Sequence, residues 1–337
     1  MSTGRFSKRS LKRAYVIAHG DLDGLTAAAT IVSALTTLGY RASVRIAFPH
    51  TLDQVLASLG EVEKVIIVDI AVDDAALPRV KACIARLVRG GAEVTWIDHH
   101  QSTKDREDEL RALGVKLVWA PEFSVAPLVR REFLARSEDP AFFDKLLSLG
   151  EAFDRAQHIK PGLPLAEVLE SLSLALELDP LDEDFRLRLV KMWTTAKQLI
   201  DDEVALRAEE AYEIFAKLLR QAEERIVYSS EEAVVIDMVG VRVRGFTGRL
   251  AAHIAESAGR VCFVVIKAGR QEIVVTCRVP KGRKLNAHEI VRRIAADLGG
   301  SGGGHKGAAS VRLPLHMHER VLSYLKRLCE RGLAALQ

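Results

Sequence analysis

Three short stretches set imidazole and carboxylate groups at the ends of apolar runs. His19-Gly20-Asp21-Leu22-Asp23-Gly24 follows Tyr15–Ala18, Asp69 closes Val65–Val68, and Asp98-His99-His100 closes Val94–Ile97. A fourth acid, Asp154, ends Leu149-Gly150-Glu151-Ala152-Phe153-Asp154. Oxygen and imidazole donors without thiolate suit Mn²⁺ or Mg²⁺ better than structural zinc. An acid closing a wholly apolar strand is costly to bury alone, and a cation supplies its partner. The donors exceed what one octahedral ion needs once water is counted, so two ions sharing a carboxylate are expected. Such a pair, about 3.5–4 Å apart, can activate a water and stabilise phosphoryl oxygens together. The chemistry indicated is hydrolysis of a phosphate ester or anhydride.

Each residue also has a plainer reading. Asp23 could be the N-cap of a following helix, Asp69 a cap or surface turn, and Asp154 a solvated helix acid. Asp73 and Asp74 fall at a helix start and are assigned to capping. His19, Asp21 and Asp23 can share one pocket if their segment stays extended. His99 and His100 leave the strand in different directions, so one can ligate metal while the other faces substrate. Asp98 is placed to receive the remaining ring N–H of the ligating histidine.

These residues need a scaffold, and the first half supplies one by alternating strand and helix. Tyr15–Ala18, Ala42–Ile46, Val65–Val68 and Val94–Ile97 read as strands. Helical stretches near Leu25–Leu38, Thr51–Leu59 and Asp73–Val88 separate them. Continuous β-branched runs such as Val65–Val68 belong to parallel strands buried on both faces, and the alternation predicts right-handed crossovers. Ligands in such sheets collect at the strands' C-terminal ends. From about Phe123 to Leu199 the pattern is helical. A long charged helix, roughly Asp201 to Arg225, reads as a connector, and a break at Tyr228-Ser229-Ser230 opens a new domain near Ala233.

In that domain Gly299-Gly300-Ser301-Gly302-Gly303-Gly304-His305-Lys306-Gly307 lies between a helix, Ala287–Leu298, and a strand, Ala308–Leu313. Six glycines exceed the needs of an ordinary hairpin loop. Bare backbone N–H groups approach phosphates closely, and His305 and Lys306 add donors and charge. A flexible linker is the alternative. Arg278 ends the strand Ile273–Cys277 and suits bidentate phosphate recognition. Lys281, Arg283 and Lys284 either extend an anion surface or form a solvated charge run. Arg249, in Gly245-Phe246-Thr247-Gly248-Arg249, is a further phosphate candidate. Phe246 reads as core rather than as a base-stacking ring.

The ordered set His19-x-Asp21-x-Asp23-Gly24, Asp69, Asp98-His99-His100 and Asp154 resembles the DHH phosphoesterase family. The Gly-Gly-Gly-His signature at Gly302–His305 and Arg278 resemble its DHH-associated C-terminal domain. The compact His19-x-Asp21 spacing looks more like RecJ-related and archaeal members than like pyrophosphatase-type and many oligoribonuclease-type ones, and the chain as a whole resembles a RecJ-like or oligoribonuclease-like archaeal-type member. The resemblance implies two Mn²⁺ ions, with Mg²⁺ or Co²⁺ as substitutes. His19, Asp21 and Asp69 would hold one, and Asp23, Asp69, His99 and Asp154 the other, Asp69 bridging. It implies that His100 contacts the scissile phosphate and assists the leaving group, and Asp98 is counted with it in the catalytic set. Arg278, Gly302, Gly303, Gly304 and His305 would bind substrate.

The expected architecture is two α/β domains with the active site in the cleft. Residues 1–195 would form the metal-binding domain, 196–231 a helical linker and 232–337 the substrate-binding domain. The expected reaction is manganese-dependent hydrolysis of short oligonucleotides or single-stranded RNA or DNA ends to mononucleotides. Rival readings are a polyphosphatase or pyrophosphatase, a 3′-phosphoadenosine-phosphate phosphatase, and a non-catalytic replication or repair scaffold. A net charge of +3 over 337 residues favours a short or single-stranded substrate over long duplex. No apolar stretch is long enough to span a bilayer, and the basic N-terminus lacks a signal-peptide core, so a cytoplasmic protein is expected. The four scattered cysteines read as buried free thiols. A homodimer and a replication or repair partner both fit the sequence.

Overall fold

The computed structural model describes residues 12–154 and 165–333. It divides into two units: residues up to Leu176 with Leu181–Ala208, and Glu177–Pro180 with the chain from Glu209 onward.

The first unit runs β1 Lys12–Ala18, α1 Leu22–Thr37, β2 Tyr40–Ile46, α2 Leu52–Ser58, β3 Lys64–Val68, α3 Leu77–Arg89 and β4 Glu93–Asp98. Then come two short helices, α4 Gln101–Lys104 and α5 Glu107–Ala112, and an edge strand, β5 Lys116–Trp119. Helices α6 Ala126–Phe133, α7 Pro140–Asp154, α8 Ala166–Leu178 and α9 Glu183–Thr195 follow. The sheet is wholly parallel in the order β2-β1-β3-β4-β5. Apolar alternation sends Ile17, Val65, Ile67, Val94 and Trp96 to one face, and Val16, Ala18, Ile66, Val68 and Ile97 to the other. Both faces are covered, which is why the strands read as continuous apolar runs. Leu22, Leu25 and Ala29 on α1 meet Phe143, Leu146, Leu172, Leu189 and Trp193 in a third, helical core.

A 22-residue helix, α10 Asp202–Glu223, leads into β6 Ile226–Ser229, β7 Ala233–Asp237, α11 Thr247–Ala258, β8 Val261–Ala268 and β9 Glu272–Arg278. The chain continues through α12 Ala287–Leu298, β10 Ser301–Gly304, β11 Ala308–Pro314 and α13 His318–Glu330. The second sheet has the order β10-β11-β9-β8-β7-β6, and only β7 and β8 run parallel. Its core gathers Val235, Phe263, Val275, Ile290, Val311 and Leu325.

Four expectations change. Helix α1 begins at Leu22 rather than near Leu25, so the His19–Gly24 segment turns helical instead of staying extended. Strand β5 adds a fifth, edge strand to the four that the sequence predicts. Tyr228-Ser229 lies in strand β6, paired antiparallel with β7, rather than in a break. The glycine run is itself a strand, β10, paired antiparallel with β11. Of the cysteines, Cys262, Cys277 and Cys329 are buried free thiols and Cys83 is half-buried. Among the described residues no helix is long and apolar enough to cross a membrane.

Candidate metal centre

In this parallel sheet ordered 2-1-3-4-5 the strand order reverses between β1 and β3, and the segments leaving those strands diverge around a crevice. His19 and Asp69 are the first residues past these two strands. Their backbones stay in the ladder for one more step: His19 N–H donates to Val68 O at 3.3 Å, and Asp69 N–H to Ile97 O at 2.9 Å. Asp69 is 3 % exposed and has φ of +60°. Non-glycine residues seldom adopt that left-handed region, although Asp and Asn do so more readily than most. The conformation fixes the bearing of a carboxylate buried among others.

Asp21 caps α1, its Oδ1 accepting from Gly24 N–H at 3.0 Å. Capping therefore belongs to Asp21, not Asp23. The other Asp21 oxygen lies 2.7 Å from His19 Nδ1. Asp23, fully buried in the first turn, accepts Val125 N–H on Oδ2 at 2.7 Å. Its Oδ1 is buried with no hydrogen-bond partner among the described residues. Asp154, the last residue of α7, reaches the same place because α7 crosses α1 at Gly150. A Cβ at Gly150 would stand 2.4 Å from Thr26 Oγ1 and 2.9 Å from Asp23 Oδ1.

The two histidines of the triplet separate as expected, but Asp98 serves the other one. His99 Nδ1 lies 3.2 Å from the Glu122 carbonyl. A carbonyl can only accept, so Nδ1 carries the hydrogen and the Nε2 lone pair is left for a ligand. That Nε2 lies 3.3 Å from Asp69 Oδ1 and 3.6 Å from Asp154 Oδ2. Asp98 instead takes His100 Nδ1 at 2.7 Å and a hydrogen bond from Thr103 Oγ1. The supporting roles of Glu122, Val125 and Thr103 escaped sequence reading, since backbone atoms and a lone threonine carry no motif. Of the two acids assigned to capping, Asp73 accepts from Ala75 and Ala76 N–H, whereas Asp74 pairs with Arg106.

Donor atoms of His19, Asp21 and Asp69 lie within 4.8 Å of one another, as do those of Asp23, Asp69, His99 and Asp154. A third grouping joins Asp69, Asp98, His99 and His100. Burial and then the surrounding carboxylates push Asp69 and Asp23 well above the usual carboxyl range. Burial, then Asp23 and Asp21, raises Asp154 to about 9. Burial opposes ionisation of Asp21, but His19 outweighs it and holds that carboxyl low. Burial also opposes a charge on His19 and on His100, and Asp21 and Asp98 respectively overcome it. Four acids with too little positive charge among them are unfavourable until a cation enters. The orphaned Asp23 oxygen and the all-oxygen-and-imidazole donor set fit a hard divalent ion.

In the second unit, Arg278 ends β9. Its Nε is buried without a hydrogen bond among the described residues, and burial lowers its pKa. On β10, a Cβ at Gly302 would lie 2.4 Å from Ser310 O, so only glycine allows this strand to lie so close to β11. β10 is a sheet edge, and alternate backbone groups of an edge strand point away from the neighbour. His305 N–H closes the hairpin on Ala308 O at 2.7 Å, and Gly303, Gly304 and His305 carry their backbone to the turn. Arg249 is paired with Glu177 at 2.5 Å, and Phe246 is fully buried. Arg283 bonds the Gly259 and Glu231 carbonyls.

Known proteins resemble this chain in two stretches and in fold. The N-terminal domain of the DHH family matches residues 13–117, and the DHHA1 domain matches residues 240–331. The chain belongs to the DHH phosphoesterase family, and its class is that of a metal-dependent phosphoesterase. Among solved structures it is similar to a DHH domain described as a member of the s1p family of ribosomal proteins. There the TM-score is 0.68 at 18 % identity, covering 93 % of this chain and 85 % of that one. It is also similar to the pGpG-specific phosphodiesterase PggH from Vibrio, with TM-score 0.59 and 15 % identity over 95 % and 99 % of the two chains. RecJ from Thermus thermophilus in complex with Mn²⁺ gives TM-score 0.58 and 20 % identity. That alignment takes in 94 % of this chain but 52 % of RecJ. At these identities the likeness is one of fold. A search of curated proteins found no match.

Proposed function

We propose that the protein is a manganese-dependent phosphodiesterase that hydrolyses short oligonucleotides or single-stranded ends to mononucleotides. The observation that carries this reading is the pair of donor groups, His19/Asp21/Asp69 and Asp23/Asp69/His99/Asp154, that share Asp69. Two Mn²⁺ ions, or Mg²⁺ or Co²⁺, would be held there, acidifying a water and drawing charge from the phosphoryl oxygens. His19 and Asp21 would hold one ion, Asp23, His99 and Asp154 the other, and Asp69 both. Glu122 fixes the tautomer of His99. Asp98 accepts from His100 Nδ1–H and favours the doubly protonated ring, so that Nε2–H would meet the scissile phosphate and pass its proton to the leaving oxygen. Arg278 and the backbone of Gly302, Gly303, Gly304 and His305 would grip a phosphate of the substrate.

The substrate of one structural relative supports a short nucleotide chain. PggH is pGpG-specific, and the net charge here is only +3, which suits a short strand. Labelled RNA and DNA oligomers of two to five nucleotides, incubated with the protein and Mn²⁺, should yield mononucleotides. Arg278→Ala should raise KM more than it lowers kcat, because a phosphate grip serves ground and transition states alike. Intact oligomers would refute the proposal. Orthophosphate released from polyphosphate or from 3′-phosphorylated adenosine nucleotide, with oligomers untouched, would reassign the substrate.

A further inference from the structure

We infer that Arg186, on α9, is a positioning residue for one of the two ions and not for the other. The inference rests on the two-ion reading above. Arg186 is 5 % exposed, and a buried guanidinium is tolerated only where hydrogen bonds replace its water. Its Nε donates to Gly20 O at 2.7 Å, its Nη1 to Asp182 O at 2.9 Å and its Nη2 to Leu176 O at 3.3 Å. Three carbonyls from three segments thus converge on one planar fork. A single guanidinium can serve all three because its donors are fixed in a plane.

Gly20 is the significant one of the three. It stands between His19 and Asp21, the two residues unique to the first donor group. The missing side chain at Gly20 is what admits the arginine: a Cβ there would lie 3.1 Å from Arg186 Nε and 3.1 Å from Ile46 Cγ2. Holding the Gly20 carbonyl holds the peptide planes that aim His19 and Asp21. The second group owes nothing to this contact. Asp23 sits inside α1 and is braced by Val125 N–H, His99 by the Glu122 carbonyl, and Asp154 by its place on α7. Losing Arg186 should therefore loosen one ion and spare its neighbour.

The test is a calorimetric titration of metal-free protein with Mn²⁺ alone, run on wild type, Arg186→Met, Arg186→Lys and Gly20→Ala. Wild type should bind two ions. Arg186→Met should bind one with unchanged affinity and the other about tenfold or more weaker, the loss seen when a group supporting a ligand is removed. Arg186→Lys should recover part of that loss, because an ammonium can still reach one carbonyl. Gly20→Ala crowds the same contact from the opposite side and should weaken the same ion. Far-UV circular dichroism and urea midpoints identify the variants that remain folded. If Arg186→Met unfolds, Arg186→Lys and Gly20→Ala decide. Two unchanged ions, or two equally weakened ions, in any folded variant would overturn the inference while leaving the metal site standing. A wild type that binds no Mn²⁺ would overturn the two-ion reading and the inference with it.

Discussion

Asp154→Asn should make the metal-free protein less sensitive to pH and the metal-loaded protein inactive. The Asp154 carboxyl is raised to about 9, by burial first and then by Asp23 and Asp21, whereas in the unfolded chain it returns to about 4. Between those values the folded state holds a proton that the unfolded state has released. Stability without metal must then fall as pH rises through that window, and what Asp154 contributes is fully present only below about pH 4. One such proton gives a slope of at most about 1.4 kcal/mol per pH unit. The carboxyl is 20 % exposed, so solvent screening will reduce that figure. Asparagine keeps the shape and abolishes the titration. Urea unfolding in chelator from pH 5 to 8 should show wild-type stability declining and the variant's curve flatter. With saturating Mn²⁺ the wild-type decline should vanish or reverse, because the ion takes the proton's place and binds more tightly as pH rises. Identical slopes for wild type and variant in chelator would refute the account of Asp154, as would wild-type stability that climbs over this range.

Two further outcomes are expected. Asp98→Asn removes the charge behind His100 while keeping Thr103 as a donor to the remaining side chain. It should lower kcat by roughly 10²–10⁴-fold, the range for a misplaced proton donor, with Mn²⁺ stoichiometry unchanged in a direct titration. Gly150→Ala forces a methyl against Thr26 and Asp23. It should cost about 1–3 kcal/mol in urea unfolding and weaken the ion shared by Asp23 and Asp154, with equal wild-type and variant midpoints counting against the close crossing of α1 and α7.

The sheet strands that carry ligands were readable because burial on both faces leaves an unbroken apolar signature, as in Val65–Val68. The acids that end them stood out against that background. What sequence could not supply was direction. Nothing in Asp98-His99-His100 says which ring the aspartate faces, because that depends on the Glu122 carbonyl, which claims His99 from 23 residues away. Capping of α1 falls to Asp21 rather than Asp23 because the helix starts about one turn early, and both carboxylates still lie in the donor groups. The glycine run gives no strand signal because β propensity belongs to side chains that glycine lacks, and the pairing of β10 comes from its backbone and from β11. Gly150 gave no signal either, since a glycine inside a helix is legible only once the opposing helix is in place.

The left-handed backbone at Asp69 bears on how this lineage can lose its chemistry. Glutamate would preserve charge there but not the torsion, and alanine would preserve neither. Asparagine alone among common replacements accepts the torsion and the volume while surrendering the second anionic oxygen. A single-base change from aspartate to asparagine would leave a folded chain that keeps Arg278 and the β10 glycines while losing the carboxylate common to both donor groups. Duplicated copies drifting toward a purely binding role have a short, structurally silent path at this one position.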